Sequence, residues 1–134
     1  VITNSLPVAM TLGHAGTDVI LCPGDYLPEE AATIGTDAVD FLARHHADRC
    51  MIGASGLTAD GPGEAVRGFA AIKRAMIGRS GAAHLLIDSE KFGRPGLATV
   101  APLGDLASVV VDAAPRGELM RALGDAAVEV LLAD

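Results

Sequence analysis

The 134-residue sequence predicts an α/β fold, a mainly parallel sheet flanked by helices on both faces. Three observations predict it. Strand-like and helix-like runs alternate along the chain in the order βαβαβαβ. The strand-like runs are near-continuously apolar, as strands buried on both faces are. Half of the residues are hydrophobic and these are mainly Ala, Val, Leu and Ile, with aromatics at only 3%, a mix that packs helices closely against a sheet.

The elements follow in order. Residues 1–3 are short and β-branched. Residues 6–14 read as a helix with Pro7 in its first turn, where a missing N–H costs nothing. Residues 18–22, DVILC, form a strand ended by Pro23-Gly24, and the loop PGDYLPEEAA follows. Residues 33–46 are a second helix, with Val39 and Leu42 on one face. Residues 49–54 are a strand, followed by the loop SGLTADGPG. Residues 64–80 form the longest helix, with Val66, Phe69, Ile72 or Lys73, and Met76 at helical spacing. A strand at 83–87, a short strand at 96–101, a strand at 108–112, a helix at 116–124 and a strand at 127–133 close the chain. No repeat, low-complexity stretch or interior linker interrupts it, so residues 1–134 read as one domain. The opening VITN has no Met and no lead-in, and points to N-terminal sequence missing from this chain.

Charge narrows the functional classes. The net charge is −7, with no basic stripe, one Tyr and no Trp, which makes this segment a poor nucleic-acid binder on its own. Cys22 and Cys50 lie in apolar strand-like runs and are expected as reduced core residues. There is no signal peptide and no run of membrane-spanning length, so a cytoplasmic protein is expected. The adjacent His45 and His46 point in different directions and form no metal spacing. GASGLTADGPGEA is glycine-rich but lacks the Gly-Lys-Ser/Thr of a phosphate-binding loop. Neither a cofactor nor a metal is expected.

Ligands of open parallel sheets bind beyond the carboxyl ends of the strands. Those ends hold Thr3, Asn4 and Ser5, then Asp25, then Gly53, Ser55 and Gly56, then Asp88, Ser89 and Lys91, then Asp112. Hydroxyls, an amide, acids and a lysine on one rim suit a small polyhydroxylated, phosphorylated ligand. Gly, Ser, Asp and Asn are also ordinary turn and cap residues. The chain uses eight arginines but only two lysines, Lys73 and Lys91. A lysine offers a compact charge. Lys73 lies near the apolar face of its helix and either snorkels to solvent or points to a site.

Together VITNSLPVAMTL, the stretch IGTDAVDFLARHHADRCMIGASGLTADGPGEAVRGFAAIKRAMIGRS and LLIDSEKFG resemble the C-terminal effector-binding domain of DeoR-family transcriptional regulators. The resemblance covers nearly the whole chain, and the Asp-Ser-x-Lys-Phe-Gly turn is its most specific piece. It implies a sugar-phosphate-isomerase-like, Rossmann-like fold without isomerase activity. It implies sensing of a phosphorylated sugar or related metabolite by an oligomer, and a DNA-binding winged helix-turn-helix upstream. Carried over residue by residue, the pocket is Thr3, Asn4, Ser5, Gly53, Ser55, Gly56, Glu64, Lys73, Asp88 and Lys91. The two lysines would contact the anion, and Asn4, Glu64 and Asp88 the sugar hydroxyls. The chain departs from the family where a hydroxyl- and glycine-rich turn should precede VITN, where Pro23-Gly24 replaces Gly-Gly, and where Val110-Val111-Asp112 replaces Ile-Thr-Asp. The competing expectation is an enzyme of the same fold, a sugar-phosphate isomerase with Asp88, Asp112 or Glu64 as base. A third is an oligomerisation module without ligand.

Overall fold

The computed structural model describes all residues 1–134 and divides them into two compact units, Val1–His46 and Ala47–Asp134.

The smaller unit begins with β1 (Ile2–Thr3), α1 (Leu6–His14) and β2 (Ile20–Leu21). The two strands pair in parallel, Ile2 beside Ile20 and Thr3 beside Leu21. Helix α1 occupies the predicted residues. Ser5 caps it, its hydroxyl accepting from the Val8 amide at 3.4 Å, and Pro7 sits in the first turn. The predicted loop after Pro23 is instead an antiparallel hairpin, β3 (Asp25–Leu27) and β4 (Ala32–Ile34). Its turn closes through Ala31 at φ 48. Gly24, at φ 144, begins the hairpin where a Cβ would lie 2.5 Å from the Ile34 carbonyl oxygen. Helix α2 (Thr36–Ala43) buries Ala38 and Leu42.

The larger unit holds β5 (Ala47–Ile52), β6 (Gly56–Thr58), β7 (Gly61–Glu64), α3 (Arg67–Gly78), β8 (Ser80–Leu86), β9 (Ala98–Thr99), β10 (Ser108–Val111), α4 (Gly117–Asp125) and β11 (Glu129–Leu132). Its main sheet has the order β11-β10-β8-β5 and is wholly parallel. Both helical crossovers step the same way across it, so the right-handed rule places α3 and α4 on one face. That face is the core. Cys50, Ile52, Ala83, Leu85, Ile87, Val109 and Val111 are buried there with Leu123 of α4, and Met76 and Ile77 of α3 pack against them.

A second sheet, β6-β7-β9, is antiparallel; β6 and β7 occupy what the sequence reads as the loop 55–63 and the start of the long helix, and β9 falls within the predicted short strand at 96–101. Gly61 to Glu64 are committed to this ladder, so α3 starts only at Arg67. The sheet needs glycine. A Cβ on Gly56 would meet the Arg94 carbonyl oxygen at 1.9 Å, and one on Gly63 would meet the Gly96 nitrogen at 2.5 Å. No helix is long and apolar enough to cross a membrane.

Candidate functional site

In the smaller unit Thr3 ends β1, Asn4 and Ser5 follow it, and all three engage backbone. The Ser5 amide donates to Thr3 Oγ1 at 3.1 Å, and Asn4 Nδ2 donates to the Thr33 carbonyl at 2.9 Å. Thr33 in turn donates its hydroxyl to the Cys22 carbonyl at 2.9 Å. These residues hold α1 and the hairpin against the strand pair.

In the larger unit the candidates form two groups. The first joins Ser55, Glu64 and Lys73. Glu64 is buried in β7, and its Oε2 accepts from the Ser55 hydroxyl at 3.1 Å while its Oε1 pairs with Lys73 Nζ. The Ala65 amide donates to Ser55 Oγ at 3.1 Å, which fixes the hydroxyl's direction. Lys73 approaches from α3, with its ammonium 6.0 Å from the Phe69 ring centre. A buried carboxylate needs such partners. An ammonium has three donors, so pairing with Glu64 still leaves Lys73 capacity for a ligand oxygen. Gly53 and Gly56 flank this group. Gly53 has only the Leu86 carbonyl oxygen near a built Cβ, at 3.9 Å, whereas Gly56 is required by the Arg94 backbone.

The second group lies at the ends of the neighbouring strands β8 and β10. Asp88 opens a single helical turn, Ser89–Lys91, and Lys91 Nζ returns to Asp88 Oδ2 at 3.3 Å. Both side chains are exposed, so this pair contributes little stability and leaves the ammonium accessible. Asp112 accepts from the Ser89 amide at 2.6 Å and from the Ser89 hydroxyl at 3.1 Å. The Ser89 amide chiefly, and its hydroxyl, hold the Asp112 carboxyl below its ordinary value. The two lysines, alike in sequence reasoning, thus differ. Lys73 is half-buried against a carboxylate, and Lys91 is open to solvent.

Beside the Asp88–Lys91 turn lies a cleft of about 430 Å³, lined by Thr58, Phe92, Gly93, Arg116, Glu118 and Leu119 among others. Its size suits a small molecule. None of the ten candidates lines it. Phe92 and Gly93 are the last residues of the Asp-Ser-x-Lys-Phe-Gly turn, so the motif carried a signal for this wall. Thr58, Arg116 and Glu118 had none, because Thr58 ends β6 and Arg116 and Glu118 open α4, each far along the chain from that motif.

The two cysteines are free and buried, and burial pushes both thiols up. For Cys50, hydrogen bonds from the Ser80 side chain and the His84 backbone oppose the burial effect.

Comparison with known proteins gives a consistent result. Residues 1–113 match the family model of the DeoR C terminal sensor domain. The glycerol-3-phosphate regulon repressor of Escherichia coli (strain K12) is 30% identical over 138 residues, covering 98% of this chain and 53% of that protein. The HTH-type transcriptional repressor GlcR of Bacillus subtilis (strain 168) is 27% identical over 135 residues, covering 100% of this chain and 52% of that protein. The chain spans about half the length of the curated relatives it matches.

Proposed function

We infer, from the premise that this chain belongs to the DeoR C-terminal sensor-domain family, which phosphorylated metabolite class it senses and how. The chain is a sensor domain of a transcriptional regulator and not an enzyme, in keeping with relatives that are repressors. The ligand of our reading is a phosphorylated sugar or polyol. The observation that carries it is the accessible Lys91 ammonium beside Asp88, Ser89 and Asp112 at adjoining parallel strand ends. Such a rim offers a cation for a phosphate and acceptors for hydroxyls. One relative is named for the glycerol-3-phosphate regulon, which agrees with a phosphorylated ligand.

The remaining candidates take supporting roles in this reading. In the larger unit Lys73 and Glu64 present a charge pair, Ser55 presents a hydroxyl, and Gly53 and Gly56 shape the backbone, while Thr3, Asn4 and Ser5 order the smaller unit. A winged helix-turn-helix elsewhere in the regulator binds DNA, and the regulator works in the cytoplasm as a homo-oligomer. Effector binding shifts the population between DNA-competent and incompetent arrangements through its differential affinity for the two. An isomerase would need a base with a raised pKa, and Asp112 is held in the opposite direction.

The test is a thermal-shift titration of the full-length regulator against free and phosphorylated sugars and polyols. The expected result is a concentration-dependent rise with one phosphorylated compound and none with its unphosphorylated form. Loss of the charged contact in Lys91→Ala should weaken that binding by about tenfold or more, the effect of a hydrogen bond to a charged group. A response to the free sugar alone, or undiminished binding by Lys91→Ala, refutes the assignment.

A further inference from the structure

The cleft beside the Asp88–Lys91 turn holds side chains that the chain itself leaves unused. The ion pairs of the chain join Lys73 to Glu64 and Lys91 to Asp88. Arg116 and Glu118 both line the cleft, both are exposed, and neither is paired with the other or with any other charge. Thr58 Oγ1 accepts from the Asp60 amide at 3.2 Å, so the hydroxyl hydrogen remains available to a ligand.

The apolar part of the lining is anchored. Phe92 and Leu119 line the cleft and also pack against the buried core of the larger unit. An apolar lining with a few polar groups around it is the composition of a metabolite site, and about 430 Å³ is the matching size. Lys91 directly precedes Phe92, so the cleft adjoins the strand-end rim. On that rim Asp112 already holds the Ser89 amide and hydroxyl, and Lys91 keeps one contact with Asp88. The rim can take a phosphate on the Lys91 ammonium, but has less to offer the rest of a ligand.

The free groups of the cleft select a ligand class. A guanidinium presents parallel N–H donors in a planar fork that matches a carboxylate or a phosphate. Glu118 lines the same cleft and repels a doubly charged phosphate more than a singly charged carboxylate, so the carboxylate is favoured. The Glu118 oxygens accept and do not donate, which suits ligand hydroxyls. The net charge of −7 gives an anion no general attraction, so each negative group on a ligand needs a cation in contact with it.

We propose that the cleft is the second half of the effector site and that the effector is a phosphorylated sugar acid, its carboxylate held by Arg116. The proposal rests on the reading that Lys91 takes the phosphate. The carbon chain lies on Phe92 and Leu119, and its hydroxyls meet Glu118 and Thr58. Arg116 is then the residue that separates an acid from the neutral phosphorylated polyol of the same length.

The experiment is isothermal titration calorimetry of the full-length regulator with two matched pairs of probes, 6-phosphogluconate against sorbitol 6-phosphate and 3-phosphoglycerate against glycerol 3-phosphate. Within each pair only a carboxylate replaces a CH₂OH group. In one pair or both the acid is expected to bind at least about tenfold more tightly than the alcohol, the effect of a hydrogen bond between charged groups. Arg116→Gln should remove that preference, and Lys91→Ala should weaken both members and leave their ratio unchanged. Circular dichroism melts establish that both variants are folded. Alcohols that bind as tightly as the acids in both pairs overturn the proposal, as does a preference that survives Arg116→Gln. So does an Arg116→Gln variant that weakens acid and alcohol equally, because Arg116 then holds the phosphate. Where the alcohols bind and depend on Lys91, these three outcomes leave the phosphorylated-polyol reading standing and sink this inference alone. Binding that is indifferent to Lys91→Ala, or no binding by any of the four probes, overturns the two together.

Discussion

At the residue scale, Glu64 has the largest structural consequence. Its carboxylate is buried and holds both the Ser55 hydroxyl and the Lys73 ammonium. Glu64→Ala removes the acceptor and strands a half-buried cation. The expected cost is about 2–4 kcal/mol in urea denaturation, below the full penalty for a completely buried pair because Lys73 retains some access to water. Adding Lys73→Met should recover part of that loss, since the stranded charge is gone. Asp112 supplies a pH prediction. Its folded pKa is lowered, so its contribution to ordering the Ser89 turn is complete near neutrality and is lost as pH falls through that lowered value. The protection factor of the Ser89 amide, its exchange rate relative to that of an open chain at the same pH, should accordingly fall in acid and stay flat around neutral pH. The raised thiols act in the other direction. Their contribution is present below the ordinary value of 9.0 and declines as pH rises toward the folded value.

At the element scale, α1 was legible to the residue because local chemistry specifies it. Ser5 supplies the cap, Pro7 suits only a first turn, and no distant partner is needed. The two hairpins were not legible. The strand Gly61–Glu64 reads GPGE, which has poor strand propensity, and it exists because β6 and β9 flank it. Glycines are needed there for proximity. Gly63→Ala would push a methyl into the Gly96 nitrogen, and a loss of about 1–3 kcal/mol by chemical denaturation is expected, as for overpacked sites. Gly78→Ala at the end of α3 is the contrasting case. Nothing lies within 4 Å of its Cβ position, and a gain of about 0.4–1 kcal/mol is expected from the restricted unfolded chain.

At the scale of the whole molecule, the acidic balance of −7 makes this chain a poor nucleic-acid binder by itself, so the proposed function assigns DNA binding to another segment of the regulator. In the full-length regulator, Lys91→Ala should leave operator affinity without effector unchanged, and should move the effector concentration needed to alter it by about tenfold or more. Fluorescence anisotropy with labelled operator, with and without effector, reads both quantities. A change in the effector-free affinity would place Lys91 in the coupling between arrangements rather than in the ligand site.

The sequence by itself determined the α/β class, the parallel strands, the helix at residues 6–14 and the family resemblance, because apolar periodicity and short motifs are local properties. It also drew attention to Asp88 and Lys91 as charges at the end of an apolar strand and to Lys73 near an apolar helix face, while Glu64 entered through the family resemblance. Only the tertiary structure decided that Glu64 holds Lys73 while Lys91 stays open, and that Arg94 is the reason for Gly56. Only it decided that Thr58, Phe92, Arg116 and Glu118 line one cleft. The physical reason is that pairing and burial depend on which distant segments meet, and a strand's alternation does not say which of its two faces will be covered.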